Sequence, residues 1–491
     1  MRPVWSFVPF LSAGILGISS TVAHAQAAEA SAEDVEALRA KVERLESSLN
    51  QLQQRLEAAE GRAAAGATAG TAATAATPAN GTATAATPPP SWAVDWSASA
   101  SEIAVHPGEA PPPRRTSRDE MTGVARVDTA PPPNNPELTG FISIPGTQTM
   151  VRLNGFARIN AIYDLMPAGN EQIFVPSSFP IDGGNGKNAR ISANSTRLSL
   201  EVRRPTRLGP LRIYVENDFY GGNNTPGFRL RQASAQVGNF YGGYGFSAFV
   251  DTDAYPDTLD DEGPVGLAFL RTASVRHIVK VSPGVTATIS VENPSSEILN
   301  LPAAATDEQV IPDFVGALRF EGGWGHIQGA GVVRSIGYRW QGNDHNRIGW
   351  GVNLSSLFEL GTDSIQAGVT YGDGIARFIN DMGGLGYDAV IRPDLTLRTL
   401  TAYSGFIGYT HFWSPHWQSN ITGSIAVLER DRFLPDTAYR RSTYGAANVI
   451  YQANSFITVG FETLYGRHKL QNGDDHDAVR LQTSVKYDFQ K

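Results

Sequence analysis

An all-β fold, a closed antiparallel barrel of sixteen strands that crosses a membrane, is what three features of this 491-residue chain predict. Segments between residue 151 and the last residues alternate oily and polar side chains with a period of two, the mark of a strand with one apolar face. In the stretch AVRLQTSVKYDFQK, Val479, Leu481, Thr483, Val485, Tyr487 and Phe489 oppose Arg480, Gln482, Ser484, Lys486 and Asp488. The connections between such segments alternate between short and long. After residue 25 no run of about twenty apolar residues occurs, so a membrane crossing has to use strands rather than helices.

The chain begins with the features of an export signal. Arg2 is followed by the apolar stretch VWSFVPFLSAGILGI and by Ala23-His24-Ala25, which predicts a signal peptide over 1–25 with cleavage before Gln26. A retained membrane anchor is the competing reading. Residues 26–62 carry a heptad, with Val35, Val42, Leu49 and Leu56 at a, and Leu38, Leu45, Leu52 and Ala59 at d. The g-to-e pairs Asp34–Arg39, Lys41–Glu46 and Arg55–Glu60 are opposite in sign, which predicts a parallel periplasmic coiled coil and hence an oligomer. This pattern leaves dimer and trimer both open, and a single amphipathic helix docked on a domain is the alternative. Residues 63–143, rich in Ala, Thr, Gly and Pro, predict a disordered linker that at full stretch exceeds roughly 200 Å.

Composition narrows the function. The net charge is −8 and cysteine is absent, which argues against a nucleic-acid partner and excludes disulfides and thiolate metal sites. No cofactor is expected. Neither G-x-S-x-G, H-E-x-x-H nor a P-loop is present, so no enzymatic activity is expected, although a hydrolase borne on the barrel rim stays open.

Residues 144–491 form the predicted barrel domain. Strands are expected to start near residues 151, 196, 210, 228, 243, 269, 284, 312, 324, 346, 362, 397, 415, 440, 455 and 477. Short links such as 205–210 and 414–416 alternate with longer ones at 165–195, 294–311 and 374–396, as the turns and loops of an outer-membrane barrel do. Trp413, Trp417, Tyr451, Tyr465, Tyr487 and Phe489 stand near strand ends, where aromatic girdles belong. Lipid then covers the oily face, and the backbone survives there only if the sheet closes on itself. Sixteen strands leave an aqueous lumen that tolerates charge. A soluble sandwich or propeller competes, but it would not repeat this alternation along nearly every segment, and no blade-length repeat occurs.

The inward positions collect arginine. Arg152, Arg158, Arg197, Arg203, Arg212, Arg229, Arg231, Arg276 and Arg319 are expected to line the pore and bind anions, since a guanidinium keeps its charge and grips a carboxylate with two bonds. The bland reading pairs each with a lumen acid such as Asp164, Glu201, Glu216 or Asp218. Between the fifth and sixth strands, DTDAYPDTLDDEGPVG (251–266) is expected to fold into the lumen as a constriction loop. Its Asp251, Asp253, Asp257, Asp260, Asp261 and Glu262 would face the arginines across the pore. A solvated outer loop is one alternative. Calcium binding is another, weakened by the lack of EF-hand spacing and by Pro256.

The stretches PGTQTMVRLNGFARINAIYD, FVPSSFPIDGG, TRLSLEVRRPTRLGPLRIYVENDFYGGNN, FRLRQASAQVGNF and YPDTLDDEGPVGLAFLRTASVRH resemble the DcaP-like trimeric outer-membrane porins, closely over residues 144–290. That resemblance implies a homotrimer in outer-membrane lipid that admits small anionic solutes, dicarboxylates among them. Ser199, His277 and the tail Gln490-Lys491 depart from the family pattern. The expected function is passive diffusion of small anions across a Gram-negative outer membrane, with a periplasmic N-terminal region. The alternative to it is a tether between that membrane and the cell wall, with peptidoglycan as a candidate partner of the N-terminal region.

Overall fold

In the strand Asp475–Asp488 the polar Arg480, Gln482 and Ser484 are buried, whereas Val485 and Tyr487 are about half exposed. This inversion of the usual soluble pattern holds around the whole sheet. The computed structural model describes residues 140–489, apart from 184–185, 223–225, 303 and 309–310. The expected signal peptide, coiled coil and nearly all of the linker, together with Gln490-Lys491, lie outside the described residues.

Sixteen strands form the wall: β1 (Met150–Asp164), β2 (Asn188–Ser192 and Arg197–Thr206, interrupted at 193–196), β3 (Gly209–Asp218), β4 (Arg229–Val237), β5 (Phe240–Phe246), β6 (Arg271–Ser282), β7 (Val285–Glu292) and β8 (Asp313–Gly322) make the first half. β9 (Gly325–Trp340), β10 (Asn343–Leu360), β11 (Asp363–Asp373), β12 (Thr401–Phe412), β13 (Trp417–Leu428), β14 (Tyr439–Gln452), β15 (Ile457–Leu470) and β16 (Asp475–Asp488) make the second. Each pairs antiparallel with its chain neighbours, and β16 returns to β1 from Phe156↔Asp488 to Asp164↔Arg480. The sheet is closed, so its wall has no unpaired edge to expose in lipid. All sixteen expected strands are present, each starting within four residues of its expected position when β2 is counted from Arg197. The upper piece of β2, Asn188–Ser192, was not anticipated, because the break at 193–196 interrupts the alternation. Also unanticipated was a small sheet, Ile298–Leu299, Ala389–Ile391 and Leu397–Thr399, which packs inside the tall β9–β10 hairpin against Ile336 and Tyr338.

The outer surface is apolar and banded. Along β10, Trp350, Val352, Leu354 and Phe358 are exposed. Trp350 and Phe358 are eight residues apart, about 27 Å along a strand and roughly 21 Å of depth at a tilt near ~40°, close to the ~25 Å apolar band of outer-membrane barrels. Trp413, Trp417, Tyr487 and Phe489 mark the short-turn rim, where Trp417 and Tyr451 pack with ring centroids 4.6 Å apart. Tyr465 belongs instead to the upper girdle, with Trp350, Tyr371 and Tyr403. A soluble protein rarely exposes a continuous apolar belt of this extent.

The seam between β16 and β1 is held by charge as well as by backbone. Arg480 is fully buried and donates to both Asp164 oxygens at 2.6 and 3.0 Å, and to the Asn170 carbonyl. Removing one member strands the other without water, so Arg480→Ala should cost about 3–5 kcal/mol, read as a lower urea midpoint in detergent. On the opposite face, Ile407→Arg places a charge between Tyr403 and Tyr409 in the apolar band and should cost about 2–4 kcal/mol, whereas Ile407→Leu should be neutral.

Candidate functional site

The segment 247–270, between β5 and β6, lies inside the barrel. Phe249 and Ala254 are fully buried, and the segment reaches strands on the far wall: the Leu259 and Asp260 amides donate to Glu462 of β15 at 2.9 and 2.8 Å, and Gly266 donates to Ser424 of β13 at 2.7 Å. Gly266 has no room for a side chain, since a Cβ there would lie 2.4 Å from the Gly405 carbonyl oxygen. A second segment, 374–400, joins it through backbone bonds, Phe269 to Phe378 at 2.8 Å and Asn380 to Leu267 at 3.0 Å. Arg334, fully buried on β9, anchors this second segment by donating to Asp388 and to the Gly374 carbonyl, both at 2.8 Å.

The nine expected arginines all sit on barrel strands, and most have partners. Arg152, Arg203 and Arg212 converge on one carboxylate, Glu201, at 2.8, 2.7 and 2.7 Å. Arg229 grips both oxygens of Asp218, and Arg231 bonds Glu216 and Asp218, each at 2.7 Å. The side chains of Arg229 and Arg231 thus reach the same carboxylate, as their spacing implies. Arg158 meets Asp261 at 3.1 Å and the Leu259 carbonyl, and Arg276 bonds Ser274 and the Phe246 carbonyl. Arg319 binds Asp251 at 2.9 Å and Asp253 at 2.8 Å. Arg197 differs. Its guanidinium lies 5.6 Å from the Phe156 ring centroid, and its buried Nε has no hydrogen-bond partner among the described residues.

The acids of 251–266 are dispersed. Asp251 accepts from Arg319 and Ser355 and contacts His326 Nε2 at 2.8 Å; Asp257 accepts from Gln418; Asp261 accepts from Arg158 and from Tyr220 Oη. Among the described residues no group of three or more His, Asp or Glu side chains is placed to hold a metal ion. The acidic run therefore divides in space: Asp251 and Asp253 share Arg319, Asp257 turns to Gln418, and Asp260, Asp261 and Glu262 stay together.

Between the segment and the arginine strands lies a cavity of about 260 Å³. Its lining includes Phe156, Arg197, Arg231, Asp260, Glu262, Arg271 and Lys486. Sequence reasoning missed Arg271 and Lys486. Arg271 opens β6 at a position whose parity counts as outward, yet its guanidinium sits between the Phe246 and Phe269 rings at 4.6 and 4.9 Å. Like Arg197, it has a buried Nε with no partner among the described residues. Phe156, an exception to the alternation of β1, is explained here: Lys486 lies over it at 5.2 Å, on the same inward ring that meets Arg197. Polar pairs that superficially suggest catalysis are sealed. Ser442 and His468 lie 3.1 Å apart, but the serine is fully buried.

Two acids facing the cavity hold their protons unusually well. Burial, reinforced by the nearby Glu462, pushes the Asp260 carboxyl up to about 8. Burial, reinforced by Asp381, pushes Glu262 up to about 7. Both are neutral in acid and charge the cavity negatively as the pH rises.

A closed sixteen-strand wall, an apolar outer belt and an inner segment facing arginines are the parts of an outer-membrane channel. A family model described as a porin subfamily matches residues 139–491. The chain belongs to the porin subfamily. Among curated porins, it is 24% identical to porin Omp2b of Brucella suis over 247 residues, covering 45% of this chain and 60% of that one. A match to porin Omp2b of Brucella canis is likewise 24% identical, over 236 residues with the same coverage. The chain therefore spans about 60% of the length of these relatives. In structure it is similar to the outer membrane channel DcaP of Acinetobacter baumannii, with a TM-score of 0.64, 21% identity, and coverage of 71% of this chain and 99% of that chain. The likeness is one of fold, and it agrees with the family resemblance in the sequence. Family and fold place this porin barrel in a Gram-negative outer membrane.

The protonation of Asp260 is directly measurable. Infrared difference spectra of the folded barrel should show a protonated-carboxyl band that persists at pH 7, bleaches as the pH passes about 8, and is missing from Asp260→Asn.

Proposed function

We propose that the barrel is a passive diffusion channel for small solutes, with a preference for anions set at the cavity beside Arg197 and Arg271. The observation that carries this reading is the charge imbalance of one wall. Three guanidiniums share Glu201, while among the described residues Arg197 and Arg271 have no carboxylate bonded to them. A guanidinium with no bonded carboxylate, beside a cavity of this size, attracts an anion and recognises a carboxylate with its fork of donors. The surrounding low-dielectric walls strengthen that field and raise the local anion concentration.

The segment 247–270 narrows the path on the opposite side and presents Asp260, Asp261 and Glu262. Cationic wall and acidic segment produce a transverse field, which selects by size and orients dipolar solutes. A dicarboxylate fits this reading because two forks can be used in turn as it passes. Flow follows the solute gradient, with no chemical step. The reading carries with it a homotrimer, supported by the family resemblance, and a periplasmic coiled coil and linker over 26–143.

In planar bilayers under a potassium chloride gradient, Arg197→Ala/Arg271→Ala should lower the chloride-to-potassium permeability ratio severalfold and slow succinate flux. An unchanged ratio would discard the assignment. Because Asp260 and Glu262 gain charge as the pH rises, the wild-type ratio should be higher at pH 6 than at pH 9. That difference should shrink in Asp260→Asn/Glu262→Gln.

A further inference from the structure

The outward face at the long-loop ends of β14–β16 breaks the apolar pattern. On β14 and β15 outward positions carry odd numbers, and the uppermost are Arg441, Lys469 and Arg467. Arg441 and Lys469 are direct cross-strand partners, and Arg467 stands opposite Asp477. Like charges directly opposite on one face repel. Asp475 stands directly opposite Lys469 on β16 and pairs with Arg467 at 2.6 Å and more loosely with Lys469 at 4.0 Å, whereas among the described residues Arg441 has no bonded anion. A register shift at Tyr439/Arg441 sets Arg441 opposite Lys469, and it leaves Arg440 bonded to the Leu428 carbonyl.

The sector is local. At the same ends of β4 and β8, exposed positions hold Phe228, Leu230, Ile311 and Phe314 instead. Directly below the cations, Tyr465 is an exposed aromatic of the upper girdle. The cations therefore stand at the level where lipid head groups meet water, at the end that outer-membrane barrels turn to the outside.

We propose that Arg441, Lys469 and Arg467 form a binding site for a phosphate group of an outer-leaflet glycolipid. A phosphate between Arg441 and Lys469 removes their mutual repulsion and takes the fork of Arg441 with two oxygens. Its acyl chains continue down the apolar belt beside Tyr465. The site is on the outside of the wall and is independent of the solute path.

Native mass spectrometry of the full mature chain in detergent tests this, with diphosphorylated lipid A, the same lipid stripped of phosphate, and inorganic phosphate as probes. The diphosphorylated lipid should bind, and Arg441→Gln/Lys469→Gln should weaken it at least tenfold while leaving conductance and heat-dependent gel mobility unchanged. If the double variant does not fold, Arg441→Gln alone is read, with a severalfold loss expected. Equal binding by the variant, or equal binding of the phosphate-free lipid, overturns the proposal. So does saturation by inorganic phosphate at the same concentration, which would mark a free-anion site, or a change in oligomeric state of the variant, which would mark a contact between copies.

Discussion

Backbone hydrogen bonding in a medium without water is the constraint on which this structure rests. Every strand of the wall must give its amides and carbonyls to a neighbour, and a sheet does that everywhere only by closing. The pairing of β16 with β1 is therefore the central contact, and the buried Arg480–Asp164 pair sits within that seam. Closure in turn separates two environments. Outside, Val, Ile, Leu and aromatic residues meet lipid; inside, the alternate positions are released to carry arginine, glutamate and asparagine.

The inner surface uses that freedom unevenly. Loops 247–270 and 374–400 pack against much of the far wall and are fixed by Glu462, Arg334 and Asp388. What they leave open lies against β1–β6, where guanidiniums outnumber their carboxylate partners around Glu201.

The wall was legible in the sequence because its period of two is dictated by two unlike solvents, and a strand such as Ile457–Leu470 reports both. Sites were less legible. Alternation assigns Arg152, Arg203 and Arg212 to the inside but cannot tell that all three share Glu201. It also misplaces Arg271, the first residue of β6, whose outward parity is overridden by packing between Phe246 and Phe269. The acidic run at 251–266 looks like one cluster along the chain, yet its carboxylates go to Arg319, Gln418 and Arg158 on different strands, because a loop crossing a lumen meets a different wall at each residue. Contacts of that kind depend on three-dimensional closure, which no local pattern encodes.

Which face of the wall meets water decides everything else about this barrel. The chain contains no cysteine, so single cysteines can be introduced against a silent background. A hydrophilic, membrane-impermeant thiol reagent applied to the folded barrel in lipid vesicles should label cysteine at Ser199 or Lys486 and spare it at Leu198, Val485 or Tyr487. Labelling that ignored this alternation, or ran opposite to it, would contradict an oily exterior and an aqueous interior.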